Sequence, residues 1–139
     1  MHFRRVCLES FGYTLPDEIV ATTAIEEQLA PLYARLRLPP GRLELMSGIH
    51  ARRFFPSGTR PGDISALTAA KAIRASGIDR PLFGCLVHGS VCRDHLEPAT
   101  ACRVHHEVGL PSECMIYDVS NDCIGRLNLM RRVGSMIQL

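Results

Sequence analysis

At 139 residues, with 46% hydrophobic and 22% charged side chains, the chain has the make-up of a folded globular protein with one modest core, not of a disordered tail. Its net charge of +2, with both signs interspersed, excludes the clustered basic footprint of a nucleic-acid binder. No stretch reaches the roughly eighteen consecutive apolar residues of a membrane span, and the arginines of "MHFRRVCLESFGY" have no apolar segment of a secretion signal behind them. The expectation is a cytoplasmic protein, without a membrane span and with no nucleic-acid partner, whose cysteines are reduced thiols.

The opening "FRRVCLESFGYTLP" alternates loosely and carries β-formers, which predicts a strand over Phe3 to Tyr13, closed by Pro16. Thr23 with Glu26 forms the spacing of a capping box ahead of "AIEEQLAPLYARLRL", and Pro31 should kink or interrupt that helix. "LELMSGIHARRFFPSGTRPGD" is punctuated by glycines and prolines and reads as a loop carrying a knot of arginines. Asp63 is placed as the N-cap of "ISALTAAKAIRASG", where Ala66, Ala69, Ala70 and Ile73 share a face and Gly77 supplies the stop.

The apolar run Leu82 to Val87 reads as a buried strand, and "EPATACRVHHEVG" as a helix with Pro98 in its first turn and Gly109 at its end. "ECMIYDV" is a second buried strand, followed by a polar turn and a helix headed by Cys123. Strands alternating with helices predict a mostly parallel, doubly covered sheet. Strand, turn, cysteine, helix is a geometry suited to a nucleophile, because a helix N-terminus favours the thiolate. A buried structural cysteine has the same pattern. Cys123, Leu127, Met130, Gly134 and Ile137 fall on one stripe, which would turn the thiol inward with the core.

"DVSNDCIGRLNLM" resembles the nucleophile motif of the thiolase superfamily, in particular the β-ketoacyl-acyl-carrier-protein synthase III group. "SGIHARRFF" is similar to that group's Gly-Ile-x-x-Arg-Arg motif, "ALTAAKAIRASGID" to its first long alanine-rich helix, and "EPATACRVHHEVGLP" to its Pro-Ser-Thr-Ala helix, all in family order. "SVCRDHLEPATA" carries a glutamate where most synthase III proteins have an apolar residue, and so resembles the olefin-biosynthesis branch that condenses two acyl-CoA molecules head to head. The implied fold is α/β and thiolase-like, a mostly parallel mixed sheet with covering helices, of which residues 1–139 would be the N-terminal half.

By the same resemblance, Cys123 would attack an acyl thioester and hold the acyl group for a Claisen condensation, decarboxylative or not, with a second thioester. Glu97 would act as base for that second acyl group, a role that requires burial to raise its pKa; from the residues alone it is a helix-capping carboxylate. Arg52 and Arg53 match the paired arginines that meet CoA or carrier-protein phosphates, and are otherwise solvated loop charges. The implied partners are acyl-CoA or an acyl-carrier protein, and a second copy of the chain or a complementary C-terminal half. No cofactor is implied. Cys92, Cys102, His105 and Cys114 have no zinc-knuckle spacing, so no metal is expected.

Departures from the pattern qualify this reading. The family's catalytic histidine and asparagine belong to its second half, and none of His50, His88, His95, His105 or His106 matches the histidine. Asp122 replaces a small residue and sets a like charge beside a thiolate. Arg126 shares an apolar flank with Val133 and Ile137, where a buried guanidinium would need an acid. Two readings follow: a condensing-enzyme chain, complete only with a complementary half or as a fragment of a longer product, or a non-catalytic remnant or dimerising interaction subunit that keeps the family's dimer surface.

Overall fold

A computed structural model describes residues 3–138. Two compact units divide the chain: Leu15–Gly58, and Met1–Thr14 together with Thr59–Leu139.

In the Leu15–Gly58 unit, β1 (Glu18–Ala21) pairs antiparallel with β2 (Ala51–Phe54), Ile19 opposite Arg53 and Val20 opposite Arg52. Between them run α1 (Thr22–Gln28), α2 (Ala30–Leu36) and α3 (Arg42–Ser47). Pro31 falls in the first turn of α2, so the predicted interruption is a clean break between two helices. The arginine-bearing stretch is therefore not all loop: its glycines bound the short α3, and β2 follows them.

The capping box does not form. Thr22, not Thr23, begins α1, and no side chain caps it. Thr22 is buried and donates its hydroxyl to Ile49 O at 2.5 Å. Glu26 turns away from its own helix start to accept from the Gly41 and Leu43 amides, both at 2.6 Å, and from the Tyr33 hydroxyl at 2.9 Å. Those amides hold its carboxyl below the usual carboxylate range, against the opposing effect of burial. Its lowered folded pKa means that the stabilisation is present above the unfolded value and is lost as pH falls through the folded one.

The larger unit is built on the parallel pair β3 (Cys85–Gly89) and β4 (Met115–Val119), with Leu86 opposite Ile116 and His88 opposite Asp118. Helix α5 (Thr100–Val108) is the crossover that a parallel pair requires, and α4 (Pro61–Ser76) packs against it. Ala66, Val104, Val108, Leu110 and Cys114 form the buried core, flanked by Ala69, Ala70, Ile73, Phe83, Leu86 and Ile116. The predicted α4 stripe is this core face. Gly77 and Gly109 end their helices in the left-handed conformation, as the sequence implied.

Several boundaries differ from expectation. Arg60, not Asp63, is the N-cap of α4; Pro61 occupies its first turn and Asp63 lies inside the helix, bound to Arg103 of α5. The strand read as Leu82 to Val87 starts at Cys85, because Arg80–Leu82 forms a 3-10 turn around Pro81. Residues 3–13 join no sheet. Residues 10–13 lie along α4 instead, with Ser10 donating to Ala72 O at 2.8 Å and Lys71 to Tyr13 O at 3.1 Å, while Phe3 rests on Gly134 of the last helix. Helix partners satisfy this segment where a strand neighbour was expected. Sheet pairing is correspondingly limited to one parallel and one antiparallel pair among the described residues.

The last helix, α6 (Gly125–Gln138), covers β3 from the side opposite α5. Leu129 fills the space a side chain at residue 89 would need, which is why glycine stands there. The Tyr117 hydroxyl meets Met136 Sδ at 3.9 Å. The inward face is thus Leu129, Val133 and Met136, one step round from the stripe read off the sequence. Leu127, Met130 and Ile137 are 66%, 42% and 57% exposed; of that stripe only Gly134 is buried, beneath Phe3. Arg126 is exposed and needs no buried acid. No helix among the described residues is long and apolar enough to cross a membrane.

Two stability measurements follow from this packing. Leu110→Ala should lower the unfolding free energy by about 2–5 kcal/mol, and the volume-conserving Leu110→Met by less than about 1.5 kcal/mol, read from urea midpoints at unchanged m-value. Glu26→Gln should lower the urea midpoint at pH 7 and flatten its fall with acidification below the ordinary glutamate range. Parallel acid limbs for the variant and the parent would contradict the assigned role of the Glu26 carboxylate.

Candidate active site

The site candidate lies at the carboxyl ends of β3 and β4, where open α/β sheets present their ligand-facing loops. Backbone and side-chain bonds fasten these ends together: Ser90 N donates to Val119 O at 3.3 Å, and Ser120 Oγ to Ser90 O at 2.7 Å. Asn121 turns the chain at φ −153° and ψ 59°, and Asp122 adopts a left-handed φ of +40° that aspartate tolerates better than most residues. This reversal puts Cys123 in the 3-10 turn Asp122–Ile124, immediately before α6.

Cys123 is exposed, not inward-facing as the stripe predicted. The stripe on which it was read, Leu127, Met130 and Ile137, is the flank of α6 left uncovered, and the thiol is exposed with it. It is a free thiol on the surface of a strand-to-helix turn, open to a reagent. The other free thiols differ in character. Burial pushes Cys85 and Cys114 up, which makes them inert core fillers. Cys7 and Cys92 are exposed but lie outside any such turn.

Glu97 is exposed and joins Pro98 through a cis peptide bond. Pro98 precedes α5 and is not in its first turn, because Ala99 is the N-cap. The burial that a base role for Glu97 requires is not met within this chain. Its loop is nonetheless fixed at one point. Asp94 accepts from Gly62 N at 2.8 Å and meets Arg103 Nη1 at 3.4 Å, while the Asp94 amide donates to Thr100 Oγ1 at 3.2 Å.

Arg52 and Arg53 belong to the Leu15–Gly58 unit. Arg52 is half-buried and donates Nη1 to Thr22 Oγ1 at 3.2 Å; Arg53 is exposed and donates Nη1 to Pro16 O at 2.8 Å. Each guanidinium keeps further N–H donors beyond the one so used.

No motif in the sequence assigns a role to Asp118 or His88. Asp118 Oδ2 accepts from Thr100 N and Oδ1 from Ala101 N, both at 2.8 Å, so a strand residue caps the crossover helix. His88, its register partner, is buried, with Nδ1 3.6 Å from Asp118 Oδ1 and no hydrogen-bond partner for that nitrogen among the described residues. The available signal was a carboxylate inside the apolar run "MIYDV", where an unpartnered charge would be costly.

No family model matches the chain. An acyl-CoA:acyl-CoA alkyltransferase of Shewanella oneidensis is 40% identical over all 139 residues, which cover 40% of that relative. A β-ketoacyl-[acyl-carrier-protein] synthase III of Koribacter versatilis is 35% identical over 124 residues, 89% of this chain and 35% of that one. Among solved structures, a single-residue variant of Xanthomonas campestris OleA superimposes with a TM-score of 0.90 at 31% identity, over 98% of this chain and 39% of the other. The chain thus spans about two fifths of the length of its relatives. Over that span it is a homologue of the acyl-CoA:acyl-CoA alkyltransferases and synthase III proteins of the thiolase superfamily, with their thiolase-like α/β fold.

Proposed function

We propose that this chain carries the nucleophile-bearing part of an enzyme that condenses acyl thioesters. The observation that carries the reading is an accessible cysteine at a strand-to-helix turn, in a chain 40% identical throughout to an acyl-CoA:acyl-CoA alkyltransferase. In the proposed first half-reaction, Cys123 Sγ attacks the thioester carbonyl of acyl-CoA, the carbon–sulfur bond to CoA breaks, and CoA leaves as the thiol. The acyl group is then a Cys123 thioester. A second acyl thioester, deprotonated or decarboxylated at its α-carbon, attacks that carbonyl and releases the cysteine.

Covalent capture divides one difficult condensation into two steps and calls on no cofactor. Glu97 is the proposed base for the second acyl group, in an assembly that buries it; a second copy or a complementary half would supply that cover. Arg52 and Arg53 are the proposed contacts for the phosphates of CoA or of a carrier protein, through the donors not used within the fold. The remaining polar groups of the reaction would come from sequence beyond these residues or from another chain.

A second reading, a non-catalytic interaction subunit, is favoured by one observation: the outer stripe of α6 leaves Leu127, Met130 and Ile137 uncovered. Intact mass after incubation with a long-chain acyl-CoA separates the two. We expect an adduct of one acyl group, mapped to the Cys123 peptide and absent from Cys123→Ala; peptide mapping is needed because Cys7 and Cys92 are also accessible. A folded chain that shows no adduct, or the same adduct in Cys123→Ala, would favour the interaction subunit.

A further inference from the structure

Asp118 holds a position that none of the proposed catalytic steps uses, yet it touches both segments on which they depend. Its backbone lies in β4, whose last residue, Val119, leads through the Ser120–Asp122 reversal to Cys123. Its side chain accepts from Thr100 N and Ala101 N, the first amides of α5, the helix that follows Glu97, Pro98 and Ala99. Both bonds are 2.8 Å and both acceptor oxygens belong to one carboxylate. That carboxylate sits with only 8% of its side chain exposed, walled by His88 from the neighbouring strand. His88 Nδ1 at 3.6 Å is too distant to bond it, so the short contacts of Asp118 run to α5.

We propose that Asp118 is a positioning residue for the acyl transfer proposed above: by clamping the first turn of α5, it sets the Glu97 loop and the Cys123 turn in one fixed relation. Ordinary helix capping would need only a Ser, Thr, Asp or Asn at the N-cap position, and that position is Ala99. Taking the cap from β4 adds a second link between the Glu97 loop and the Cys123 turn, which are otherwise bonded at Ser90 through Val119 O and Ser120 Oγ. Thr100 extends the clamp, because its own hydroxyl accepts from the Asp94 amide at 3.2 Å, within the same loop as Glu97.

The test compares Asp118→Asn with Val104→Ala, a core substitution on α5 that controls for general loosening. Hydrogen exchange by mass spectrometry reads peptides covering residues 96–101 and 119–125, and mapped iodoacetamide labelling reads the alkylation rate of Cys123. Asp118→Asn should speed exchange in both peptides, by about tenfold or more at the α5 start as charge-assisted bonds are lost. It should also change the Cys123 alkylation rate severalfold, whereas Val104→Ala should leave that rate unaltered. Faster exchange confined to residues 96–101, with residues 119–125 and Cys123 alkylation unchanged, would reduce Asp118 to a local cap and overturn the proposal.

Both readouts are independent of acyl-CoA, so the positioning role is decided even if the parent chain forms no acyl adduct, an outcome that would count against the functional reading alone. Where the parent is acylated, a positioning residue should lower the saturating rate of adduct formation and leave the half-saturating acyl-CoA concentration unaltered.

Discussion

The pairing of β3 with β4 in parallel is the constraint on which the larger unit depends. Parallel strands cannot be joined by a tight turn, so the chain between them must cross back over the sheet, and α5 is that crossing. Once α5 lies on the sheet, its apolar side meets α4 and produces the core of Ala66, Val104, Val108 and Leu110. Its N-terminal amides must also find acceptors, since backbone donors left unpaired in a protein interior are expensive. Asp118 satisfies two of them from the neighbouring strand. Packing and polar satisfaction thus meet at one helix, beside the turn that displays Cys123.

The Leu15–Gly58 unit solves a similar problem with a different carboxylate. Its helices are short, none longer than 7 residues, and helices of that length are not stable by propensity alone. Glu26 gathers them by accepting from Gly41 and Leu43 at the start of α3 and from Tyr33 on α2. Burial and the nearby Glu26 push the Tyr33 hydroxyl up, which keeps it a donor across the physiological range. In both units an acidic side chain far along the chain does what a local cap residue does in an isolated helix.

Helix α6 decides which way the cysteine faces. It is apolar on two flanks, and either could have faced the sheet. Steric fit decided between them: Gly89 leaves a vacancy that Leu129 fills, and the face of Leu129, Val133 and Met136 goes inward. The other apolar flank is left at the surface, as a face suited to protein association. Cys123, in the 3-10 turn ahead of the helix, is exposed with that flank.

What the sequence determined by itself was whatever short-range chemistry enforces. The α4 stripe, the glycine stops at Gly77 and Gly109, the break at Pro31 and the two apolar strands were all legible, because each depends on residues within a few positions of one another. The family motifs around Cys123 were legible for the same reason. Only the tertiary structure decided where long-range partners won. Residues 3–13 carry strand-like alternation yet pair with no strand, Phe3 resting on α6 and Ser10 and Tyr13 on α4; Glu26 leaves a local capping box for amides fifteen or more residues away; Asp118 reaches from β4 to α5. Which flank of α6 is buried, and with it the exposure of Cys123, depends on a gap opposite Gly89 that no local pattern records. Periodicity specifies that a face is apolar, but the shape of the neighbouring surface determines which face is covered.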